Sequence, residues 1–450
     1  MSEAVLVDLI HGPGPGPGLG PGPKCSGSLL EDSGSHHVFL LGGKPDRYRN
    51  RDGTGFTDAL PSISCRSVHV LDSSGSTAEC LFRFKQNLDQ LGLSNIRVLT
   101  TPHGRDVLRV YQDLLFTQVY CFRYLTCPTT CPGCAGSAHP DSPGDPDSPG
   151  DPDSPGDPDS PGDPDSPGSG VHPSVEDVSR LVQRLPSLRG QIEVLKSTLI
   201  PDCFGHGFST RSGGVSSIPT LSSLNLFSSR RRRDPDALVL ENRRRLALHA
   251  GFHPLTLRLV KVAHASDVWV AGKAEPESYD AMVTDRTGVV IAAPGADCMP
   301  LLFADPVSKV IGAAHAGWKG TVMGVAMATV EAMVKEFGCR ASDIVVAVGP
   351  SVGACCFTLD REQALLLHCI HPDCVPDPES ATPHVNIRLA NRVLLQRGGI
   401  LPEHIHDDTV TERPCVTPCT SCHPEHFFSC VRDGPNFGTQ VGFLWIRETD

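Results

Sequence analysis

Cys298 and His315 stand in one stretch, residues 288–320, which reads GVVIAAPGADCMPLLFADPVSKVIGAAHAGWKG. A thiol and an imidazole are ligands for a soft metal or, as a pair, a nucleophile and its base. Two β-branched apolar runs, 289–293 and 310–314, have the composition of buried strands, and each leads into one of these residues. Strand ends of α/β sheets commonly carry chemistry. Gly295, Gly317 and Gly320 let backbone and ligand approach closely. His315 sits in AHAGWKG, where the small neighbours give an imidazole no packing role. Asp297, beside the thiol, can orient water or act as a base, or it can cap the turn.

Other groups compete for attention. Cys127, Cys131 and Cys134 have the C-x3-C-x2-C spacing of an iron-sulfur site, with His139 as a further ligand, but their proline-rich setting favours surface thiols. Cys355 and Cys356 are adjacent; on a strand they point to opposite faces, which favours packing over a shared metal. In CVTPCTSCHPEHFFSC, Cys419, Cys422 and His423 match the haem-attachment pattern of exported proteins, and Cys419, Cys422 and His426 offer a second zinc site. Arg211, in the turn-rich FSTRSGG of residues 208–214, is either a phosphate or nucleoside contact or a loop salt bridge. The basic runs 230–233 and 243–245 read as a solvated loop and helix face, with nuclear targeting or nucleic-acid contact as the alternative.

The phrases ADC-x-P-LLFAD and AHAGW-K-G, with FSTRSGG upstream and FFSCVRDGPNFGTQVGF downstream, resemble the family first labelled polyphenol oxidase or laccase domain. That family is now regarded as zinc-dependent purine nucleoside phosphorylases and adenosine deaminases. The likeness spans residues 199–446 and fades before them. It implies that His264, Cys298 and His315 are ligands of one catalytic Zn2+. At His264 the family's Gln-Val-His-Gly type motif is altered to Val262, Ala263 and Ala265 around the histidine. A His2Cys zinc keeps one position open, lowering the pKa of a bound water to ~7 or polarising a substrate group.

The resemblance implies phosphorolysis of adenosine, inosine, guanosine and methylthioadenosine to free base and ribose 1-phosphate, and deamination of adenosine. Inorganic phosphate is then a co-substrate, for which Arg211, Lys319 and Arg432 are the candidate donors. It also implies a regulator of immune-cell metabolism, with metabolic or signalling enzymes as partners. Two other classes stay open: a thiol hydrolase with Cys298 as nucleophile and His315 as base, and a non-enzymatic scaffold. A copper laccase needs many paired histidines, and one H-x-H pair, His404 and His406, is visible.

The elements that must position these groups are α/β. A layered mixed-sheet catalytic domain (171–450) is expected after a smaller α/β N-terminal domain (1–135) and a disordered linker (136–170). In the first, strands are expected at 38–41, 68–71 and 96–100 and a helix at 77–91, interrupted by the Gly/Pro tract 12–23. In the catalytic domain the patterning predicts a strand over 255–263 ending at His264 and a helix over 321–337. A strand over 344–348, a helix over 387–396 and a last strand over 441–446 follow.

The net charge of −12 owes nine negative charges to the aspartates of the repeat at 141–168, so the remainder is only mildly acidic, against a nucleic-acid surface. There is no ~18-residue apolar run and no secretory pattern. Eighteen cysteines without an export signal point to a reducing, cytoplasmic setting, with peroxisome, endoplasmic reticulum or nucleus open as associations. The repeat DSPGDP carries Pro and Gly and no large apolar residue, so it can bury nothing. Deleting residues 141–168 is expected to leave activity unchanged in a steady-state assay; a large loss would refute the linker reading.

Overall fold

The computed structural model describes residues 3–11, 36–42, 65–71, 75–126 and 173–448. The Gly/Pro tract, the group of Cys127, Cys131, Cys134 and His139, and the hexapeptide repeat lie outside them. The chain divides into two compact units, Met1–Leu115 with Tyr120–Leu181, and Phe116–Val119 with Val182–Asp450.

The first unit is built on five strands, β1 (Ala4–Asp8), β2 (His36–Leu41), β3 (Cys65–Leu71), β4 (Asn95–Thr100) and β5 (Cys121–Thr126). They pair in parallel in the order β3-β2-β1-β4-β5. Such pairing requires crossovers, and helices α1 (Thr77–Leu91) and α2 (Pro102–Leu115) supply two of them. α1 has the expected span. Ser76 caps its start by accepting from Glu79 N–H, and Gly92, at φ 66°, closes its end. Helix α3 (Pro173–Arg184) begins in this unit, where Asp177 accepts from Ala78 N–H (2.9 Å) and the Tyr111 hydroxyl (3.0 Å).

The second unit stacks two sheets between helices. One sheet runs β15-β14-β12-β13-β10-β9, with β9 (Val268–Val270), β10 (Ala281–Thr284), β12 (Met299–Asp305), β13 (Val310–Ala316), β14 (Val345–Val348) and β15 (Ile405–His406). The other runs β6-β7-β16-β11-β8, with β6 (Val194–Leu195), β7 (Phe204–Ser209), β8 (Leu257–Leu259), β11 (Val290–Gly295) and β16 (Gln440–Ile446). Alternation along each strand divides the core. Ile291 and Ala293, Leu302 and Ala304, and Ile311 and Ala313 fill the layer between the sheets. Leu301, Phe303 and Ala314 instead join the core that includes Val325, Val330 and Met333. Val290, Ala292 and Phe443 pack with Leu246 and Ala247 of α4 (Asp236–Ala250). Both faces of both sheets are thus covered, which is why the central strands read as continuous apolar runs.

Two elements depart from expectation. The strand expected over 255–263 is only Leu257–Leu259, because the N–H groups of residues 263–265 turn toward the Asp280 carboxylate instead of a neighbouring strand. The helix expected over 321–337 is two, α5 (Trp318–Val322) and α6 (Val325–Phe337), separated where Gly324 adopts φ 81°. Helices α7 (Arg361–Ile370), α8 (Ile387–Arg397) and the short α9 (Cys430–Asp433) complete the unit. Among the described residues no helix is long and apolar enough to cross a membrane.

Phe208 ties the two sheets together. Fully buried, its ring lies where a Cβ at Gly442 would be 2.8 Å away and one at Gly349 2.5 Å away, and the same two Cβ positions are 2.9 and 2.7 Å from Pro300. Gly442→Ala is therefore expected to destabilise the protein by about 1–3 kcal/mol through overpacking, read from urea unfolding. A change within about 0.5 kcal/mol, typical of a surface site, would show that the ring has slack.

Candidate metal centre and cleft

β12 and β13 form an antiparallel pair with Pro300 opposite His315 and Met299 opposite Ala316. Continuing that register brings Cys298, just before β12, against Gly317, just after β13. Cys298 and His315 also continue the inward-facing parities of their strands, 298-300-302-304 and 311-313-315, so both point toward the end of the layer between the sheets. A Cβ at residue 317 would lie 2.9 Å from Cys298 Sγ and 3.6 Å from His264 Cδ2, so glycine is required by close approach there.

His264 arrives on the loop after β8 with φ 59°, a left-handed conformation uncommon for a residue other than glycine. Asp280, immediately before β10 and fully buried, holds it there. Its carboxylate accepts from the N–H groups of Ala263 (3.0 Å), His264 (3.0 Å) and Ala265 (2.8 Å), and from His315 Nδ1 (2.9 Å). Burial acts to raise the Asp280 pKa, but His315 and these N–H groups outweigh it and hold the carboxyl below its ordinary range. With Nδ1 paired to Asp280, Nε2 is the nitrogen of His315 left to face Cys298 and His264.

One ligand atom from each of His264, Cys298 and His315 lies within 4.8 Å of the other two. The imidazoles meet edge to face, with centroids 5.0 Å apart and planes at 87°. His315 is buried, Cys298 partly so and His264 exposed, so the group opens on the His264 side. Burial pushes the Cys298 thiol up, yet the His315 and His264 imidazoles prevail and bring it to about 6. Burial likewise acts to lower His315, but the Cys298 sulfur and Asp280 hold it at about 9. The sulfur is therefore readily a thiolate, the form that ligates metals and attacks electrophiles.

The group forms part of a small open cleft. Phe227, Arg232, Phe437 and Thr439 line it with Val262 and Pro294. On another side His264 and Cys298 line a second pocket with Trp318 and Lys319. Arg232 stacks on the Phe437 ring at 3.7 Å from its centroid and donates to Thr439 Oγ1 at 2.8 Å. Burial lowers this guanidinium to about 10, which leaves it charged at neutral pH.

Of the three cations expected to take phosphate, Lys319 lines the site while the other two are committed to the backbone. Arg211, buried, donates Nε to Ser222 O (2.6 Å), Nη1 to Pro424 O (2.6 Å) and Nη2 to Pro219 O (2.7 Å). Arg432 donates to Thr420 O (2.8 Å) and Phe427 O (2.9 Å) and pairs with Asp433 (2.7 Å). Asp297, expected as orienter or base, accepts Thr420 Oγ1 (2.7 Å) on one oxygen and Val431 N–H (2.7 Å) on the other. Those bonds tie the Cys298 loop to the 420–431 segment rather than capping the loop's own turn. His406 Nδ1 lies 2.8 Å from Ser197 Oγ and is not in the group of His264, Cys298 and His315. Cys419 and Cys422 gather with Cys355 and Cys356, not with His426.

Sequence reasoning missed Asp280 and Arg232. A single acid before an apolar run gives no pattern to read, although its place immediately ahead of a buried strand is a weak signal. Arg232 stands in a run of four arginines, a pattern that by itself reads as a solvated face. The other basic run is used internally: Arg244 and Arg245 pair with Glu241 at 2.7 Å, and Arg243 donates to Leu226 O at 2.9 Å.

A family model described as multi-copper polyphenol oxidoreductase laccase matches residues 205–447. Purine nucleoside phosphorylase LACC1 of Mus musculus is 48% identical over 371 residues, covering 82% of this chain and 80% of that protein. Its Homo sapiens counterpart is 46% identical over 376 residues, covering 84% and 82%. Adenosine deaminase RL5, from an unknown prokaryotic organism, is 31% identical over 247 residues, covering 51% of this chain and 90% of that protein. The family match takes in His264, Cys298, His315 and the residues around the cleft, and with relatives of this identity and coverage the chain belongs to the laccase-domain family.

Proposed function

We propose that this protein is a zinc-dependent purine nucleoside phosphorylase that cleaves adenosine, inosine, guanosine and methylthioadenosine with phosphate, and that it also deaminates adenosine. The observation that carries the reading is the convergence of His264, Cys298 and His315 at the meeting of two pockets, one lined by Arg232 and the other by Lys319. The names of the relatives, phosphorylase and deaminase, support the two reactions.

The donor set fits zinc. Two imidazoles and a thiolate are a catalytic-type ligand trio, and a histidine whose second nitrogen donates to a buried carboxylate is the usual outer support of such an ion. When bound, zinc supplies Lewis acidity that polarises a substrate group or lowers the pKa of water. The protein's own residues do the rest. Phe227 and Phe437 give a planar base apolar walls, and Arg232 and Lys319 are cationic donors for phosphate. In phosphorolysis a phosphate oxygen bonds to ribose C1′ as the C1′–N9 bond breaks, and the electron pair leaves with the purine, which takes up a proton. In deamination water adds at C6 and ammonia departs. Asp297 keeps the Cys298 loop in place through Thr420 and Val431.

A thiol hydrolase is the second reading, favoured by the lowered Cys298 pKa beside His315. That dyad gives no role to His264, which approaches the same sulfur. Incubation of purified protein with inosine or adenosine, with and without phosphate, tests the proposal. Base and ribose 1-phosphate are expected only with phosphate, and ammonia from adenosine without it. Chelation should abolish turnover and zinc restore it; a chelated protein that still hydrolyses esters would favour the Cys-His reading. Cys298→Ala should be inactive in both assays, whereas a scaffold would tolerate it. Asp280→Asn is expected to lower metal affinity or kcat/KM about 10–100-fold, and unchanged zinc affinity and kinetics would remove its supporting role. Arg232→Ala should raise the KM for phosphate about tenfold, equivalent to ~1.4 kcal/mol, with the KM for nucleoside changing less; the reverse pattern would make Arg232 a base-stacking residue.

A further inference from the structure

Four cysteines have no part in the function proposed above. Cys355 and Cys356 lie in a turn, not on a strand, so the opposite-face argument against a shared ligand does not apply to them. The turn bends both side chains toward Cys422, whose Sγ is 3.6 Å from Cys355 Sγ and 3.4 Å from Cys356 Sγ. A parallel bridge between Ser351 and Cys419 brings the second segment alongside, and Cys419 Sγ accepts Gly353 N–H at 3.2 Å. All four sulfurs lie within 4.8 Å of one another.

Those separations suit one ion. With Zn–S of about 2.3 Å, a regular tetrahedron has sulfur-sulfur edges of about 3.8 Å. The observed contacts of 3.4 and 3.6 Å sit just inside that edge and far beyond the ~2.05 Å of a disulfide. All four cysteines are free thiols here. Apolar packing accounts for Cys419 and in part for Cys356, which belong to or touch the core, but not for Cys355 and Cys422, which are exposed. Four soft ligands and no open position are the chemistry of a structural zinc, and the Gly353 N–H on a sulfur is the kind of outer hydrogen bond that stabilises a metal thiolate.

We propose that Cys355, Cys356, Cys419 and Cys422 bind a structural zinc ion that clamps the 351–358 turn to the 415–430 segment. On binding, four thiol protons are released as four Zn–S bonds form, leaving a site of net charge −2 at the solvent edge. The clamp acts on the loop beside Cys298. Thr420, between two of the ligands, donates to Asp297 Oδ1 (2.7 Å), and Val352 N–H donates to Asp297 O (3.0 Å). Neither the site nor its test depends on the nucleoside reading.

Zinc per chain, counted by elemental mass spectrometry on the full-length protein purified with zinc, tests the proposal. A Cys298→Ala/His315→Ala variant, stripped of two ligands of the first centre, is expected to keep one zinc, and adding Cys422→Ser to it should reduce that to none. Because a variant can fail to fold, the wild-type chain is also alkylated and mapped: the four cysteines should be protected until a strong chelator is added and then label together. Immediate labelling of all four in zinc-loaded wild type would overturn the proposal. So would a disulfide joining Cys422 to Cys355 or Cys356 in the freshly purified protein, or a double variant that folds and holds no zinc.

Discussion

The Asp280 carboxylate is the interaction on which the centre depends. A buried, ionised carboxylate is costly unless its lone pairs are filled, and here three backbone N–H groups and an imidazole fill them. In return it stabilises a left-handed residue at His264, a conformation that costs roughly 1–2 kcal/mol for an L-amino acid. It also sets which nitrogen of His315 faces the centre. One side chain thus aligns two histidines that arrive from different strands and different sheets.

The sandwich around it supplies rigidity. Cys298 and His315 are placed by the hairpin of β12 and β13, whose register a slip of one residue would turn inside out. Phe208, wedged among Gly349, Gly442 and Pro300, locks the two sheets close to Cys298. His264, by contrast, sits on a loop and is exposed, so the centre has two partners on a rigid frame and one that approaches from solvent.

The arginines divide by what surrounds them. Arg211 and Arg432 fasten loops by donating to several backbone carbonyls at once. Arg232 has one hydroxyl partner, stands over the Phe437 and Phe227 rings and lines the cleft. Asp297 joins the two cysteine-bearing regions, since the strand-edge loop of Cys298 and the segment between Cys419 and Cys422 meet on its carboxylate.

Much of the frame was legible in the chain. The runs at 289–293 and 310–314, the helix at 77–91 and the last strand follow from hydrophobic period and from glycine caps, which are local properties. The stretch around Cys298 and His315 offered a thiol and an imidazole, and the choice of these two with His264 as one set rested on family likeness. What the residues by themselves did not reveal was partnership. The strand expected through residue 263 is shortened by a carboxylate seventeen positions away from Ala263, and the fates of Arg211, Arg232 and Arg432 depend on which carbonyls and rings folding brings to each. Cys355 and Cys356 looked incompatible with one ligand set until a turn replaced the imagined strand. Periodicity and composition act between near neighbours, so the sequence determined elements and the identity of the reactive groups. Hydrogen bonds, stacking and ligand convergence act across distances that only chain packing closes, and the tertiary structure decided those.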